Sequence, residues 1–419
     1  MYFKKHFCFL KSVFLYTLTA FGGPQGHYGM LLRKFVHERK DITEEELLEI
    51  NAVTNLLPGA SSTQTLVLLG YLKGGISLAF LTLIIWILPA CILMSLFSFL
   101  FVYLDKNHLS YDFLKYIQPM AIGFILYAAF KACKLTVKRP LTLIVVIVAA
   151  VVCFLFFKNP IVVPILIVLG GICSNYGKRR IPNPFDSHSR KPIRWLNLST
   201  FVAIFLVLAA LSGFSRIKQR NDGFPSPEYR IWNISENFYR FGSIVFGGGD
   251  VLVPLMYEQF VVKPQHRKVK EPEYMTGEQF LSGSGMVRAI PGPTFSVASF
   301  HGGMAFRQWG TGWQVLGCIT GALFIFLPSF LIVIFFYPIW NNLKKYAVLY
   351  RSIEGINAVT VGIMFASTIY LTKSLNLDLH HLQSFANIVV VLSTYFLLNK
   401  TKIPAPVIVL VSLLLGFIF

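Results

Sequence analysis

The sequence predicts an all-α, polytopic integral membrane protein, and two observations support this class. Of the 419 residues, 55% are hydrophobic and only 14% are charged. A soluble chain of this length would need more polar surface to cover its core. The apolar residues also form long runs, such as 141–157, 201–211 and 403–419, without the period-2 alternation of a membrane β-strand. Helices are therefore the expected spanning elements.

Apolar segments of near-spanning length recur along the whole chain. Taking about 20 residues as one span, we expect about thirteen transmembrane helices. One lies between the halves at about 195–213, and two polar, proline-containing stretches at 177–194 and 215–230 are expected to be loops. The other predicted spans centre near Thr19, Leu57, Ile87, Phe124, Ala149 and Leu166, and near Val245, Ala289, Phe326, Gly362, Val391 and Val409.

The two halves of the chain are homologous repeats. Glycine, proline and capping motifs recur in the same order over a whole half, and chance does not explain so long an ordered match. We divide the chain into a first repeat (1–176), a linker (177–235) and a second repeat (236–419). The matched motifs are Phe21-Gly22-Gly23 with Phe246-Gly247-Gly248, Thr43-x-Glu45 with Thr276-x-Glu278, Pro58-Gly59 with Pro291-Gly292, Leu88-Pro89 with Leu327-Pro328, and Gly123 with Gly362.

The repeats are expected to have inverted orientations in the membrane. Six spans return the chain to the side on which the first repeat began, and one linker span then moves it to the other side. The second repeat therefore begins on the opposite side, an architecture typical of secondary transporters. The net charge of +19 lies mainly between apolar runs, which favours cytoplasmic loops over nucleic-acid binding. With a cytoplasmic N-terminus, the inner segments carry the basic clusters 131–139, 178–194 and 263–270, although 33–40 falls outside. We predict a multi-pass protein of the cell (inner) membrane.

A Pro-Gly break interrupts an apolar segment at the same place in each repeat. A helix that restarts after such a break presents free N–H groups and a positive dipole end, which together suit an anion. The alternative is a plain kink in which the serines and threonines cap helices. The candidate substrate-binding residues are Asn55, Pro58, Gly59, Ser61, Ser62, Thr63, Gln64, Arg288, Pro291, Gly292, Pro293, Thr294 and Ser296.

Arg288 directly precedes the second break. An arginine within the membrane is costly and is usually functional, and its planar donors suit an oxyanion. The alternative is a structural ion pair with a nearby carboxylate, for which Glu278 and Glu49 are the candidates. The residues alone leave both interpretations open.

Glycine-rich motifs begin each repeat. Their candidate gating residues are Phe21, Gly22, Gly23, Pro24, Gly247, Gly248 and Gly249, and close helix packing is the alternative role for each glycine. His27, Glu49 and Asp250 are the candidates for carrying a coupling proton, although a buried histidine is more often structural.

The acidic residues near Thr43 have a simpler explanation. Thr43 and Thr276 are expected to be helix N-caps, with Glu46 completing a capping box. No catalytic constellation is apparent, so we expect neither an enzyme nor a cofactor or metal site.

The ordered motifs resemble the chromate ion transporter family. FGGPQGH at 21–27, LLPGASSTQ at 56–64 and ILPA at 87–90 are similar to that family's first half, and FGGGDVLVPLMYEQFV at 246–261 with IPGPTFSVASFHGG at 290–303 to its second. The family's first signature usually reads Pro-Gly-Pro followed by Asn-Ser-Thr-Gln, whereas this chain has Ala60 and Ser61 at two of these positions. The resemblance covers nearly the whole chain except the linker.

The resemblance implies a membrane transporter that exports chromate. Sulfate and molybdate are also tetrahedral dianions, so a sulfate/molybdate-type oxyanion transporter and an uncoupled anion channel are the alternatives. The expected partners are the inorganic oxyanion, the lipid bilayer and a coupling proton or counter-anion. Whether the chain forms a homodimer is left open, and no nucleic-acid partner is expected.

Overall fold

The structure is a computed structural model in which every regular element of the described residues is helical. The residues that it describes are 2–21, 23–55, 57–107, 112–156, 162–176, 195–222, 226–246, 248–265, 274–343, 347–373, 375, 382–401 and 403–418.

Helices of the first repeat and the linker follow the chain in order. They are α1 (Tyr2–Thr19), α2 (Gly23–Leu31) continued by a π-helix (Leu32–Glu38), α3 (Glu44–Thr54), α4 (Ser61–Lys106), α5 (Ile117–Thr136), α6 (Pro140–Leu155), α7 (Val162–Cys173) and the linker helix α8 (Trp195–Asp222).

The second repeat has the same order of elements. They are α9 (Pro227–Ile244), α10 (Gly249–Tyr257) continued by a π-helix (Glu258–Val262), α11 (Lys263–Gln265), α12 (Gly277–Met286), α13 (Val297–Ala305), α14 (Thr311–Leu343), α15 (Ala347–Lys373), α16 (Leu382–Lys400) and α17 (Ala405–Ile418).

Helix α4 corresponds to α13 and α14 together. Its backbone leaves the helical region at Gly74 and Gly75, and φ is +74° at Gly75. In the second repeat, Gly310, with φ +91°, separates α13 and its short 3₁₀ turn from α14. Each repeat therefore contains a short helix after the Pro-Gly break, followed by a long apolar helix. We call residues 76–106 the long arm of α4.

Five described helices are long and apolar enough to cross a membrane. Three shorter apolar helices also occur, at Pro140–Leu155, Val251–Val262 and Ala405–Ile418. The breaks within the repeats divide several predicted spans into shorter helices, so the total of about thirteen spans stays a prediction. The five long helices are Ser61–Lys106, Asp112–Thr136, Trp195–Gln219, Thr311–Trp340 and Glu354–Lys373.

The spans expected to centre on Thr19 and Val245 are wrong, because helices end there. After α1 the chain reverses, and Arg39 at the far end of the π-helix donates hydrogen bonds to the Cys8 carbonyl (3.1 Å) and the Ser12 hydroxyl (3.0 Å). The Phe9 and Phe35 rings also meet, with centroids 5.8 Å apart. Helix α1 and the segment formed by α2 and its π-helix are therefore antiparallel.

The loop expected at 215–230 is also largely helical. Helix α8 continues to Asp222, and α9 begins at Pro227. Arg216 explains the extension, because it donates to the Asn233 side chain (3.0 Å) and lies 3.6 Å from a Glu236 carboxylate oxygen in α9. Polar partners across the two helices stabilise a segment whose composition suggests a loop.

The helices that precede the two breaks begin as predicted. Thr43 accepts a hydrogen bond from the Glu46 amide (3.1 Å), and Glu46 accepts one from the Thr43 amide (2.9 Å). Thr276 and Gln279 form the same reciprocal pair at the start of α12. Both N-cap assignments are confirmed.

Equivalent long helices of the two repeats pack antiparallel. Phe80, near the start of the long arm of α4, has its ring 6.0 Å from that of Phe330 in the second half of α14. Further along the arm, Ser98 contacts Cys318 (3.6 Å) and Gln314 (3.3 Å) in the first half of α14. Between these contacts the residue numbers increase along α4 and decrease along α14, so the two helices run in opposite directions.

The Pro-Gly breaks are joined to the opposite repeats by two equivalent hydrogen bonds. The Gly59 amide donates to the Val245 carbonyl (2.7 Å), and the Gly292 amide donates to the Ala20 carbonyl (2.9 Å). Both glycines have left-handed backbone, with φ of +112° and +119°. Each break is therefore held by the chain reversal of the other repeat, and the two halves meet at this centre.

Gly59→Ala should lower the melting temperature of the detergent-solubilised protein more than Gly75→Ala. Both place an L-residue at a positive φ that favours glycine, and backbone strain of this kind costs on the order of 1–3 kcal/mol. Only at Gly59 would the new methyl group meet another atom, the Ser329 hydroxyl, because the space around Gly75 is open. Overpacking of this kind adds about 1–3 kcal/mol. Equal shifts for the two variants would contradict the close approach described at the centre.

Candidate functional site

A cavity of about 730 Å³ lies where the two Pro-Gly breaks meet. Its walls come from the ends of α1, α2 and α3, the start of α4, and the second break. The cavity extends along α5 and α15 to the connection between α16 and α17. The mouth residues Leu135 and Ile403 are exposed. The cavity thus runs from the junction of the repeats to one end of the molecule.

The structure brings many of the predicted site residues to this cavity and leaves others outside its lining. Gly22 and Gly247 lie outside the described residues, as do the side chains of Pro24 and Asp250. The predicted residues that line the cavity are Phe21, Asn55, Gly59, Ser61, Ser62, Arg288, Gly292 and Thr294. The described residues absent from its lining are Pro58, Thr63, Gln64, Pro291, Pro293, Ser296, Gly248, Gly249, His27 and Glu49.

Side chains that face away from the cavity hold the first break in place. The Gln64 amide donates to the Pro58 carbonyl (2.7 Å), which closes the bend on itself. The Ala60 amide donates to the Ser329 hydroxyl of α14 (3.1 Å). Gln64 is fully buried. Gln64 therefore stabilises the bend of the backbone at the break.

The helices restart after the breaks without capping side chains. Ala60 is the N-cap of α4 and Pro293 precedes the turn Thr294–Ser296, and neither provides a side-chain capping bond. The alternative in which the break hydroxyls cap these starts is therefore wrong. Ser61 and Ser62 lie in the first turn of α4 and line the cavity. The positive end of the α4 dipole lies at the cavity wall.

Two of the predicted hydroxyls are packed inside the protein. Thr63 is fully buried and accepts a hydrogen bond from the Trp86 indole (3.0 Å). Ser296 is also fully buried, and its hydroxyl has no hydrogen-bond partner within the described part of the chain. Thr63 stabilises the packing of α4, whereas its neighbours Ser61 and Ser62 remain at the cavity.

Arg288 reaches the cavity from the second break. It is half-buried, and its guanidinium carbon lies 5.6 Å from the centroid of the Phe124 ring, an arrangement that permits a cation–π interaction. Burial, reinforced by the Asp112 carboxylate, raises the pKa of Glu278. Glu49 lies near Tyr337 of α14. Neither carboxylate lines the cavity, so the arginine is the charged group that the second break contributes to its wall.

His27 is placed in a packed aromatic environment. It is 2% exposed, and its ring lies edge-on to Trp86 with centroids 5.4 Å apart. Its carbonyl accepts a hydrogen bond from the Tyr16 hydroxyl (3.2 Å). A coupling role for His27, Glu49 or Asp250 stays a prediction.

Sequence reasoning missed the long walls of the cavity. Helix α5 contributes a stripe that includes Phe124, Tyr127, Lys131 and Leu135, at the spacing of one helical face. That spacing is the available signal, but Lys131 also begins the basic cluster 131–139, for which the sequence predicts a loop, whereas α5 continues to Thr136. Polar residues that line the cavity and were not predicted are Asn51, Thr54, Thr65, Tyr28, Thr136, Asn357 and Thr360.

A polar, cation-bearing cavity between two repeats of a helical membrane chain is typical of membrane transport proteins. A chromate transporter family model matches residues 8–174 and 232–417. The matched residues make up most of the chain, and the chain belongs to this family. The membership agrees with the motif resemblance and indicates an ion transporter with an oxyanion substrate such as chromate.

Individual relatives are distant but cover nearly the whole chain. An uncharacterized transporter of Methanocaldococcus jannaschii is 23% identical over 401 residues, covering 96% of this chain and 91% of the relative. A chromate transport protein of Cupriavidus metallidurans is 22% identical and covers 98% of this chain and 93% of its own. A chromate transport protein of Pseudomonas aeruginosa is 23% identical over 85% of this chain and 79% of its own. No solved structure matches the chain.

Thr63→Val should lower the melting temperature, whereas Ser61→Ala should not. The first variant leaves the buried Trp86 N–H without its acceptor, at a cost of about 1–3 kcal/mol. The second removes a hydroxyl at the cavity wall, so we expect added chromate to raise the melting temperature of this variant less than that of the wild-type protein. Thermal unfolding of the purified variants, with and without chromate, measures both effects. The reverse pattern would show that the hydroxyl roles are assigned wrongly.

Proposed function

We propose that this protein is a secondary transporter that exports chromate, or a related tetrahedral oxyanion, from the cytoplasm. The observation that carries the proposal is the cavity at the two Pro-Gly breaks, into which Arg288, Ser61 and Ser62 project from different repeats. Family membership supports the same substrate class.

The cavity chemistry suits an oxyanion. Chromate and sulfate have only acceptor oxygens, so their site requires donors and positive charge. Arg288 supplies several planar N–H donors, Ser61, Ser62 and Thr294 supply hydroxyls, and the start of α4 adds a partial positive charge of about +0.5. Donors around a small, symmetric ion also explain why sulfate and molybdate are the nearest alternative substrates.

Arg288→Ala should abolish chromate efflux, and Arg288→Lys should retain part of it. Lysine keeps the charge but loses the planar set of donors. Accumulated chromate in cells that express each variant provides the measurement, with Arg33→Ala as the control because the Arg33 side chain is 82% exposed. Unchanged efflux in Arg288→Ala would remove this residue from the site. Competition by sulfate and molybdate in proteoliposomes would rank the alternative substrates.

The repeats have opposite orientations in the membrane. The proposal is supported by the antiparallel packing of the long arm of α4 against α14, which are equivalent helices of the two repeats and are each long enough to span. If both cross the bilayer, their repeats are inverted. Such repeats allow a site at their junction to be exposed alternately to the two sides.

The cavity is open along one repeat and closed at the equivalent positions of the other. By the repeat alignment, Asn51, Ala128 and Lys131 correspond to Ser284, Ser367 and Tyr370. The first three line the cavity, whereas Ser284 and Ser367 are 2% and 0% exposed. On that closed side the Tyr370 ring packs edge-on to Tyr257, with centroids 6.4 Å apart. We assign the closed side to the access path of the opposite conformation.

A buried hydroxyl supports this assignment. The Ser284 side chain has no hydrogen-bond partner in the described ranges of the chain. A buried hydroxyl without a partner costs about 1–3 kcal/mol, which hydration in the opposite conformation would relieve. The open cavity ends beside the basic cluster 131–139. We therefore propose that it faces the cytoplasm, with the N-terminus on the same side and the protein in the inner membrane.

Ser284→Cys should react with an impermeant thiol reagent from the outside only during transport. The experiment uses a variant in which the six native cysteines are replaced, and Asn51→Cys in the open cavity is the matched position in the other repeat. Asn51→Cys should react from the cytoplasmic side without substrate. Reaction of both positions from both sides, independent of substrate, would instead indicate the uncoupled anion channel.

Ion gradients distinguish coupling from simple conduction. Proteoliposome chromate flux should depend on a proton or counter-anion gradient if the protein is a secondary transporter. Flux that follows only the membrane potential would contradict coupling and leave the oxyanion site intact.

A further inference from the structure

We infer that Lys131 is a substrate-recruiting residue that binds a divalent oxyanion before it reaches Arg288 and gives the cavity a preference for dianions over monoanions. This inference rests on the proposed function and adds a specificity-determining residue to it.

Lys131 and Arg288 lie along one wall of the cavity. Arg288 is placed over Phe124 of α5, and the Lys131 ammonium lies 5.5 Å from the Tyr127 ring centroid one turn earlier on the same helix. Phe124 and Lys131 are seven residues apart, which corresponds to about 10 Å along a helix. The two cations therefore mark an inner and an outer position on one path.

The outer cation is the nearer one to the mouth. Lys131 is exposed and is followed along α5 by the mouth residue Leu135 and by Thr136, which also line the cavity. No aspartate or glutamate occurs among the described residues that line the cavity. An entering anion thus meets a positive wall first at Lys131, and a cleft lined by one sign of charge raises the local concentration of its counter-ion.

Two successive cations favour a dianion. The electrostatic attraction to each cation doubles when the ion's charge doubles. A monoanion loses this advantage at both positions. The repeat-equivalent residue of Lys131 is Tyr370, on the closed side, so the outer cation belongs to one access path only.

A competing explanation is that Lys131 only fixes the membrane orientation, as basic residues near span ends commonly do. Lys134 is the matched control for this explanation. It lies in the last turn of α5, is exposed like Lys131, and is absent from the cavity lining. Removing either charge affects topology equally, but only Lys131 is placed to contact the substrate.

The test compares Lys131→Gln, Lys131→Arg and Lys134→Gln in proteoliposomes. Lys131→Gln should raise the KM for chromate about tenfold, the lower end of electrostatic steering, with little change in kcat. Added salt should raise the KM of the wild-type protein toward that of the variant, because salt screens an exposed charge. Lys131→Arg should restore the KM, and Lys134→Gln should leave it unchanged.

Dianion preference is measured by competition. Sulfate should inhibit chromate transport by the wild-type protein more strongly than nitrate does, and Lys131→Gln should reduce that ratio. Equal effects of Lys131→Gln and Lys134→Gln, or no change in the sulfate-to-nitrate ratio, would overturn the inference while leaving chromate transport established. Absence of transport by the wild-type protein would instead refute the proposed function.

A binding measurement tests the residue independently of transport. Sulfate should raise the melting temperature of the purified wild-type protein more than that of Lys131→Gln, provided both unfold at the same temperature without sulfate. An equal rise in both proteins would also overturn the role of Lys131.

Discussion

The arrangement of the molecule depends on two equivalent hydrogen bonds between the repeats, from the Gly59 amide to the Val245 carbonyl and from the Gly292 amide to the Ala20 carbonyl. A broken helix leaves backbone donors and acceptors unpaired, and lipid cannot satisfy them. In each repeat, the glycine amide at the break donates its hydrogen bond to a backbone carbonyl at the chain reversal of the other repeat. The breaks can therefore exist at the centre of the protein, where their side chains line a cavity.

At the same centre, residues that stabilise the packing and residues that line the cavity lie close together in the sequence. Thr63 and Gln64 point into the protein and stabilise the bend, whereas Ser61 and Ser62 point into the cavity. Neighbouring residues of one motif thus have different tasks because a helix turns its side chains to different sides. Arg288 adds the charge that the hydroxyls lack, and its aromatic neighbour Phe124 comes from a third element, α5.

Local rules predicted the parts of this structure that depend on local chemistry. The N-caps Thr43 and Thr276, the capping box that Glu46 completes and the Pro-Gly breaks could be recognised because residue types at fixed spacing determine them. Hydropathy could not distinguish a span from a chain reversal at Thr19, since both are apolar inside a protein. The cavity wall formed by α5 and α15 depends on tertiary packing, which residue spacing alone does not determine. A lysine near the end of a span, such as Lys131, looks the same in the sequence whether it lies in a loop or lines a cavity.

The reciprocity of the central hydrogen bonds also constrains the evolutionary history of the fold. A chain with one repeat would hold one glycine amide and one carbonyl of the required kind. It could form both bonds only by pairing with a second copy related by a two-fold axis, in which each copy gives one donor and one acceptor. Fusion of two copies preserves that pairing and frees each half to change on its own, as Asn55 and Arg288 at equivalent positions illustrate.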